Sequence, residues 1–473
     1  MTHAQPDPRR WKALALLCTA FFMVILDSAI VVVALPSIDA DLAISTGDLQ
    51  WVLSAYLLSF GGLLLLGGRV ADLMGRRRVF MVGTALFALA SLGCGLATSE
   101  TGLIAARVVQ GVAAAIMTPT ALSILTTTFE EGPERNKALG VWAVIGGVGA
   151  TAAWLVGGPI TDGLGWEWIF FINVPVALVV LALSPVLLAE SRDRGRRRRF
   201  DVAGALTITA ALVALVYAVV EAPEAGWADG QTLGLFGLSA VLIAVFVAIE
   251  SRSAAPLAPL RIFRSRALVG GNLVLFVLGM LAFGMPFTLT QYAQQVLDWS
   301  PVEFGLASVV MPVTAALGSA TAQALASRGG LRPIVAVSMV LTGLGCLLLT
   351  QVSVGGSYLG DVFFGLLVFG PGLGAGYVAG SIASLAGVAE EDAGLASGLN
   401  NSSFQIGGAV GVAILSTVAV SQADGAEPLA ALTNGFQAAF GTAIVFAAIG
   451  LLVAVPLLGK LRAPSPQPVA ETP

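Results

Sequence analysis

The chain has 473 residues, of which 57% are hydrophobic and only 11% are charged, with a formal net charge of −4 and a mean hydropathy of +0.89. A water-soluble protein of this length needs more polar surface, so the composition excludes a soluble enzyme and predicts a surface that faces lipid. Only helices or closed barrels satisfy their backbone polar groups in a bilayer, and the long apolar runs favour helices.

Fourteen apolar runs follow one another along the chain, each long enough to cross a bilayer as a helix. The predicted spans lie near residues 13–36, 51–68, 79–98, 102–128, 137–161, 168–189, 202–220, 232–249, 267–291, 303–327, 333–352, 358–382, 399–420 and 436–459. The expected fold class is therefore an all-α integral membrane protein, with six spans before the basic segment 192–199 and eight after it.

Basic residues test this count independently, because lysine and arginine in short loops are retained on the cytoplasmic side. Of 24 such residues, 23 lie in the two tails or in alternate loops, and the intervening loops carry acidic residues instead. If the count were wrong by an odd number of spans, some basic clusters would lie on the outer side of the membrane. We therefore expect an even number of spans, both termini in the cytoplasm, and location in the cytoplasmic (inner) cell membrane.

Charged side chains within spans are costly, so each is a functional hypothesis. With a rise of about 1.5 Å per residue, Asp27 lies about 13 Å and Arg107 about 8 Å below the outer surface, close enough in depth to pair. Two readings stay open: a permanent ion pair, or a carboxylate that exchanges Arg107 for a proton or a cationic solute. Asp361, near the outer end of the twelfth span, is another candidate unless it simply faces the outer water. Glu303, at the start of the tenth span, is a weaker candidate because it borders a loop.

Other chemistries find little support in the sequence. Cys18, Cys94 and Cys346 lie far apart in apolar runs, and the only histidine, His3, lies in a polar tail. We therefore expect no disulfide, no metal site and no catalytic triad. No glycine-rich motif ending in GK[ST] is present, so we do not expect ATP to drive the protein. We also expect no cofactor, no enzyme activity and no nucleic-acid partner.

The loop between the second and third spans, residues 67–78, combines glycines with an acidic residue and several arginines. Glycines permit a tight turn, and the carboxylate of Asp72 can accept hydrogen bonds from the arginines. Together with the spans, this loop resembles the signature loop of the major facilitator superfamily. The resemblance implies a cytoplasmic conformational latch formed by Gly68, Asp72, Gly75, Arg76 and Arg77.

Further segments resemble the fourteen-span drug:proton antiporters of that superfamily, and together they cover nearly the whole chain. They are 26–36 in the first span, 50–56 in the second, Arg107-Val108-Val109-Gln110-Gly111 in the fourth, 166–175 before the sixth and 200–204 before the seventh. This chain departs from the family pattern in three places. Ala153-Trp154 replaces a Gly-Pro pair of the fifth-span antiporter motif, Glu167 replaces an arginine, and Leu73 replaces a basic residue.

The resemblance implies a major facilitator fold with two six-helix bundles, residues 1–199 and 251–473, and two inserted spans within 200–250. It also implies proton-driven export of lipophilic or cationic drugs or antibiotics by alternating access, with no cofactor and with the lipid bilayer, protons and a small solute as partners of a monomer. Proton coupling is expected at Asp27, Arg107 and Asp361. Solute and proton are expected to compete for Asp27, with Arg107 adjusting its proton affinity.

Polar and aromatic residues on the central spans are candidates for the solute cavity, although each could instead pack or anchor a span at the interface. They are Trp51, Tyr56, Gln110, Trp154, Tyr292, Gln295, Asn401 and Gln405. Glycine and proline in the fifth and twelfth spans suggest a gating hinge, with close helix packing as the alternative. The hinge candidates are Gly149, Gly157, Gly158, Pro159 and Pro371.

Two rival functions remain open. A nutrient importer would share the bundles but would take solute up with the proton gradient. A membrane sensor or scaffold would show no flux, but would usually carry a sizeable soluble domain, which is not apparent in this sequence.

Overall fold

The structure is a computed structural model that describes residues 9–45, 48–191, 201–253, 256, 258–389, 392–423 and 427–458. The basic run 192–199, His3, Lys460 and Arg462 lie outside the described residues. Fourteen helices in the described part are long and apolar enough to cross a membrane, as predicted. They are α1 Arg10–Leu42, α2 Trp51–Met74, α3 Arg76–Gly95, α4 Glu100–Thr128, α5 Pro133–Leu164, α6 Trp168–Leu187, α7 Val202–Ala222, α8 Gly230–Arg252, α9 Arg266–Gln295, α10 Pro301–Ala326, α11 Leu331–Leu349, α12 Tyr358–Leu385, α13 Ala393–Ser421 and α14 Pro428–Leu457.

Helix α1 is longer than the predicted 13–36, because Pro36 does not end it. A proline removes one backbone hydrogen bond, but residues 30–35 just before it are at most 2% exposed, and packing on all sides holds the helix together. Asp39 and Asp41, expected in a loop, therefore lie in the last turns of the helix. Asp41 Oδ2 accepts a hydrogen bond from Trp166 Nε1 at 3.0 Å.

Polar side chains begin several spans, since the first backbone N–H groups of a helix have no partner within it. Ser99 caps α4 and Asp201 caps α7, where its Oδ1 accepts from the backbone N–H of Gly204 at 2.7 Å. Ser300 and Glu303 form a reciprocal capping box at the start of α10. Glu303, a sequence candidate for proton chemistry, thus serves as a helix cap.

The helices share two ends that differ in charge. The basic end carries Arg10, Arg76, Arg135 and Arg261, and the acidic end carries Asp41, Asp48, Glu100 and Asp361. Neighbouring helices are tied together at the basic end by ion pairs, such as Arg10 with Glu134 at 2.8 Å.

The inserted pair, α7 and α8, lies against both halves of the molecule. Helix α7 contacts α2 of the first six spans and α13 of the last six, whereas α8 packs chiefly on α7. Trp51 of α2 lies 6.1 Å from the Tyr217 ring of α7, and Thr417 of α13 donates to the Val219 carbonyl of α7 at 3.3 Å. Helix α7 therefore covers the α2–α13 seam between the two halves.

Candidate functional site

A buried polar cluster lies at the centre of the first six spans, around the carboxylate of Asp27. Asp27 Oδ2 accepts from Arg107 Nη1 at 2.8 Å, and Oδ1 accepts from Gln110 Nε2 and Asn173 Nδ2, each at 2.8 Å. Both members of the Asp27–Arg107 pair are 0% exposed. The predicted pairing is confirmed, and the carboxylate has three donors in a site closed to solvent.

The guanidinium of Arg107 is held from several directions at once. Its Nε donates to the Val52 carbonyl at 2.9 Å and its Nη1 also donates to Gln110 Oε1 at 2.6 Å. The guanidinium carbon lies 4.2 Å from the Tyr56 ring centroid and 5.7 Å from that of Phe170, distances suited to cation–π attraction. Arg107 Nη2 is buried and has no hydrogen-bond acceptor within the described residues.

Local sequence explains how these side chains meet. Arg107 and Gln110 are three residues apart and so lie on one face of α4. A Cβ atom at Gly111 would clash with Ser59 Oγ and the Tyr56 carbonyl, so glycine is needed for α4 to press Arg107 against α2. Asn173 begins the long part of α6 directly after its break at Ile172, which places the amide in the interior.

Sequence reasoning missed several members of this cluster. In the sequence, Asn173 belongs only to the boundary segment 166–175, and its position two residues before Pro175 at a helix start is the signal that could have identified it. Ser91 accepts from Gln110 Nε2 at 2.8 Å, but a lone serine in an apolar run gives no signal. The ring of Phe170 beside Arg107 was likewise not foreseen.

This geometry limits what can reach Asp27. A carboxylate with no exposed surface cannot touch a solute in the observed conformation, although a change of charge on it would alter every hydrogen bond in the cluster. The arrangement can therefore couple a proton to helix packing more directly than to solute contact. No group of three or more His, Cys, Asp or Glu residues within the described ranges is placed to hold a metal ion.

Asp361 lies away from this cluster, at the acidic end of α12. Its carboxylate accepts from Ser353 Oγ at 3.0 Å and from the Ser357 backbone N–H at 2.8 Å. Tyr292 reaches the same loop, donating to the Ser353 carbonyl at 2.8 Å. The structure thus brings Asp361 and Tyr292 together in holding the α11–α12 loop, and it does not bring them to Asp27.

The other predicted cavity residues are dispersed. Tyr56 and Gln110 belong to the Asp27 cluster, and Trp51 faces the inserted pair. Trp154 packs on Phe304 at 5.7 Å, whereas Gln295 is half-buried at the acidic end of α9. Gln405 packs beside Gly61 on the α2–α13 seam, and Asn401 is half-buried on α13.

The acidic end of the molecule is sealed between the two halves, chiefly by α5 against α10. An ideal Cβ at Gly158 would lie 2.5 Å from the Pro301 carbonyl oxygen, and one at Gly305 would lie 2.5 Å from the Trp154 carbonyl oxygen. Gln294 Nε2 donates to the Val33 carbonyl at 2.9 Å across the same seal. We call these α5–α10 and α1–α9 contacts the acidic-end seal.

The predicted hinge residues make close helix contacts. Gly149 and Gly157 lie against α1, Gly158 lies against α10, and the Pro371 carbonyl contacts Gly318 of α10. Pro159 lies within α5, which continues to Leu164. Close packing, the alternative left open by the sequence, accounts for the four contacts, and bending at these positions stays a prediction.

Towards the basic end the central helices α1 and α9 become exposed along one face, whereas α2 and α13 stay in contact there at Leu65 and Gly398. Helix α1 exposes Lys12, Ala15 and Thr19 there, although residues 30–35 are buried on all sides. Helix α9 shows the same change, being wholly buried over 284–293 and half-exposed at Asn272 and Phe276. Because α1 and α9 are buried at the acidic end and exposed along one face at the other, we infer a cavity between the two halves that opens at the basic end.

The signature loop is bonded within the first six spans. Asp72 Oδ1 accepts from Arg76 Nη2 at 2.9 Å, and Gly75 turns the chain with a φ of 107°. The backbone N–H of Arg77 donates to Glu190 Oε1 at 3.2 Å, which ties the loop to the end of α6. The predicted latch residues Asp72, Gly75, Arg76 and Arg77 therefore lie together in the structure. Gly68 lies earlier in α2, beside Pro119.

The fold and this site define a multi-pass membrane protein of the transporter class. The chain belongs to the Major Facilitator Superfamily, whose family model matches residues 17–318 and 272–473. It is 39% identical to the puromycin resistance protein pur8 of Streptomyces alboniger, over 96% of this chain and 91% of that protein. It is 38% identical to the cephamycin export protein CmcT of Amycolatopsis lactamdurans, over 96% and 94% respectively.

Solved structures agree on the fold. A peptide transporter of the POT family in complex with sulfate aligns with a TM-score of 0.68 at 18% identity, covering 96% of each chain. A bacterial homologue of the lysosomal transporter Spinster, described as inward-facing and unoccupied, aligns with a TM-score of 0.66 at 17% identity, covering 97% of this chain and 100% of that one.

Proposed function

We propose that this protein exports drugs or antibiotics across the cell membrane, driven by protons that enter in exchange. The observation that carries the proposal is the fully buried Asp27–Arg107 pair with Gln110 and Asn173. A buried ion pair adds little net stability, so its presence in the interior favours a functional role. The names of the relatives, which include export and resistance proteins for puromycin and cephamycin, support the direction of transport.

In the proposed cycle, the observed conformation takes up solute through the basic-end cavity while the acidic end is sealed. Protonation of Asp27 removes its charge, so the pull on Arg107 weakens and the packing of α1, α4 and α6 changes. Proton and solute then favour different conformations of the protein and do not contact the same carboxylate. This proposal replaces the direct competition for Asp27 that the sequence suggested. Because Asp361 is engaged with the α11–α12 loop, we assign proton transfer to Asp27.

We further propose that the basic end faces the cytoplasm and that a monomer carries out the cycle, with the bundle boundaries at 1–199, 200–250 and 251–473. Two variants, each with one introduced cysteine, test the orientation of the protein in the membrane. Glu131→Cys lies in the basic-end loop between α4 and α5, and Asp298→Cys is exposed at the acidic end. In intact cells, a membrane-impermeant maleimide is expected to label Asp298→Cys and to spare Glu131→Cys until the cells are opened. The reverse labelling pattern would contradict this orientation.

Purified protein in vesicles tests export against import. Vesicles loaded with a fluorescent drug panel, with an imposed pH gradient, are expected to move substrate against the direction of proton flow. Co-directional movement of solute and proton would establish the nutrient-importer reading instead. An absence of movement for the whole panel would favour a sensor or scaffold.

A further inference from the structure

Three aromatic rings form a continuous ladder along the second half of the molecule. The Tyr377 ring of α12 lies 5.2 Å from the Phe404 ring of α13, which lies 5.7 Å from the Phe283 ring of α9, and both pairs meet edge to face. At about 1.5 Å per residue, the three lie about 12, 17 and 26 Å along their helices from the basic end. We call these three residues the aromatic ladder.

The ladder lies on the surface that faces the cavity. Tyr377 is 39% exposed, and Phe404 and Phe283 are half-exposed. Phe283 continues the half-exposed face of α9 that carries Asn272 and Phe276, and it packs against both of the large hydrophobic clusters, each of which contains residues from the two halves. The ladder therefore leads from the open end of the cavity to the level at which the two halves close.

The polar groups beside the ladder are uncharged. Ser403 Oγ donates to Asn272 Oδ1 at 3.0 Å, and Asn401 lies one turn before Phe404 on α13. Among the described residues, Asp27 and Arg107 are the only Asp, Glu, Lys or Arg side chains more than five positions from the end of a span. Both are sealed and paired with each other, so the wall of the cavity offers no free counter-ion at this depth.

We propose that the aromatic ladder binds uncharged, planar aromatic solutes, and that it discriminates against permanent cations of the same shape. This inference rests on the proposed export function and narrows its substrate class. A planar neutral solute would gain stacking and apolar contact, and Asn272 and Asn401, which each donate one N–H to a carbonyl of their own helix, keep a second N–H for its polar groups. A cation would lose its hydration shell and contact only the faces of aromatic rings. Cation–π attraction compensates for only a part of the lost hydration free energy.

Two probes of matched shape test this: neutral 10-methylacridone and the permanent cation 10-methylacridinium. Equilibrium binding by fluorescence to the full chain in lipid nanodiscs is expected to be at least about tenfold tighter for the acridone. Phe404→Ala is expected to weaken acridone binding by about tenfold. Asn401→Asp is expected to strengthen acridinium binding by about tenfold, because it supplies the missing counter-ion.

The matched control is Phe364→Ala, on the opposite side of the same helix as Tyr377 and 53% exposed, which is expected to leave both affinities unchanged. Size-exclusion profiles and thermal melts establish that each variant is folded. Equal binding of the two probes by the wild-type protein, no binding of either, or unchanged acridone binding in folded Phe404→Ala would overturn the inference. Binding in nanodiscs requires no pH gradient, so the two proposals can fail separately. If the probes bind as expected but vesicles show no pH-driven transport, the aromatic ladder is supported and only the export proposal is contradicted.

Discussion

Replacing Asp27 with asparagine is expected to reduce proton-driven accumulation of substrate in vesicles to the level of protein-free controls. The side chain keeps its shape but loses the charge that holds Arg107, so no proton can be taken up and released at this position. Binding of substrate from the basic-end cavity should persist, because Asp27 has no exposed surface there. The measurement compares uphill transport under an imposed pH gradient with downhill exchange in its absence.

The single variant leaves Arg107 buried without its counter-ion, which typically costs about 3–5 kcal/mol and threatens folding. The double variant Asp27→Asn/Arg107→Gln removes both charges and serves as the control, since neutral replacement of a whole pair is often tolerated. We expect it to melt close to the wild type, to exchange substrate downhill and to fail at uphill transport. Uphill transport by the folded double variant would show that protons couple elsewhere.

The second large effect is expected at the acidic-end seal, where Gly158→Leu should lower transport by about fivefold to a hundredfold. The added side chain would start at a Cβ position 2.5 Å from the Pro301 carbonyl oxygen and 2.6 Å from Val302 Cα. These are backbone atoms that cannot move away by a side-chain rotation, so closure of the seal would cost about 1–3 kcal/mol. Each 1.4 kcal/mol lowers the population of the closed conformation about tenfold. The protein should therefore stay open at its acidic end.

Spin labels on cysteines at Gly163 and Asp298, on either side of the seal, measure that opening. The distance distribution is expected to move to longer values in Gly158→Leu. Gly140→Leu is the matched control on the same helix, because nothing lies within 4 Å of a Cβ there. If Gly158→Leu gave the wild-type distances and transport rate, the seal would not be the gate.

The number of spans and the Asp27–Arg107 pairing were predictable from the sequence for simple reasons. A charge in a long apolar run stands out, and helix rise converts sequence position into depth. Helix ends were less predictable, as the continuation of α1 beyond Pro36 illustrates, because packing on all sides outweighs the loss of one hydrogen bond.

The neighbours of the pair and the wall of the cavity were harder to predict. The depth of a residue in the membrane follows from its position along its own span. The rotation of each helix about its axis is set by contacts with other helices, which the sequence does not show. Tyr56, expected in the cavity, turns onto Arg107, and Trp51 turns onto α7. Phe404 and Tyr377 gave no signal because an aromatic residue in an apolar span is as compatible with lipid as with a solute.

The position of α7 across the α2–α13 seam makes the molecule asymmetric towards the bilayer. Lipophilic compounds dissolve in the leaflet before they meet a protein, and on that flank an extra helix stands between the acyl chains and the interior. The opposite flank, between α5 and α10, carries no such helix among the described residues, and Gly140 and Gly147 border open space there. A compound arriving sideways from the lipid would therefore meet a covering helix at the α2–α13 flank and, within the described part of the chain, none at the α5–α10 flank, so we expect membrane composition to influence uptake at the second flank.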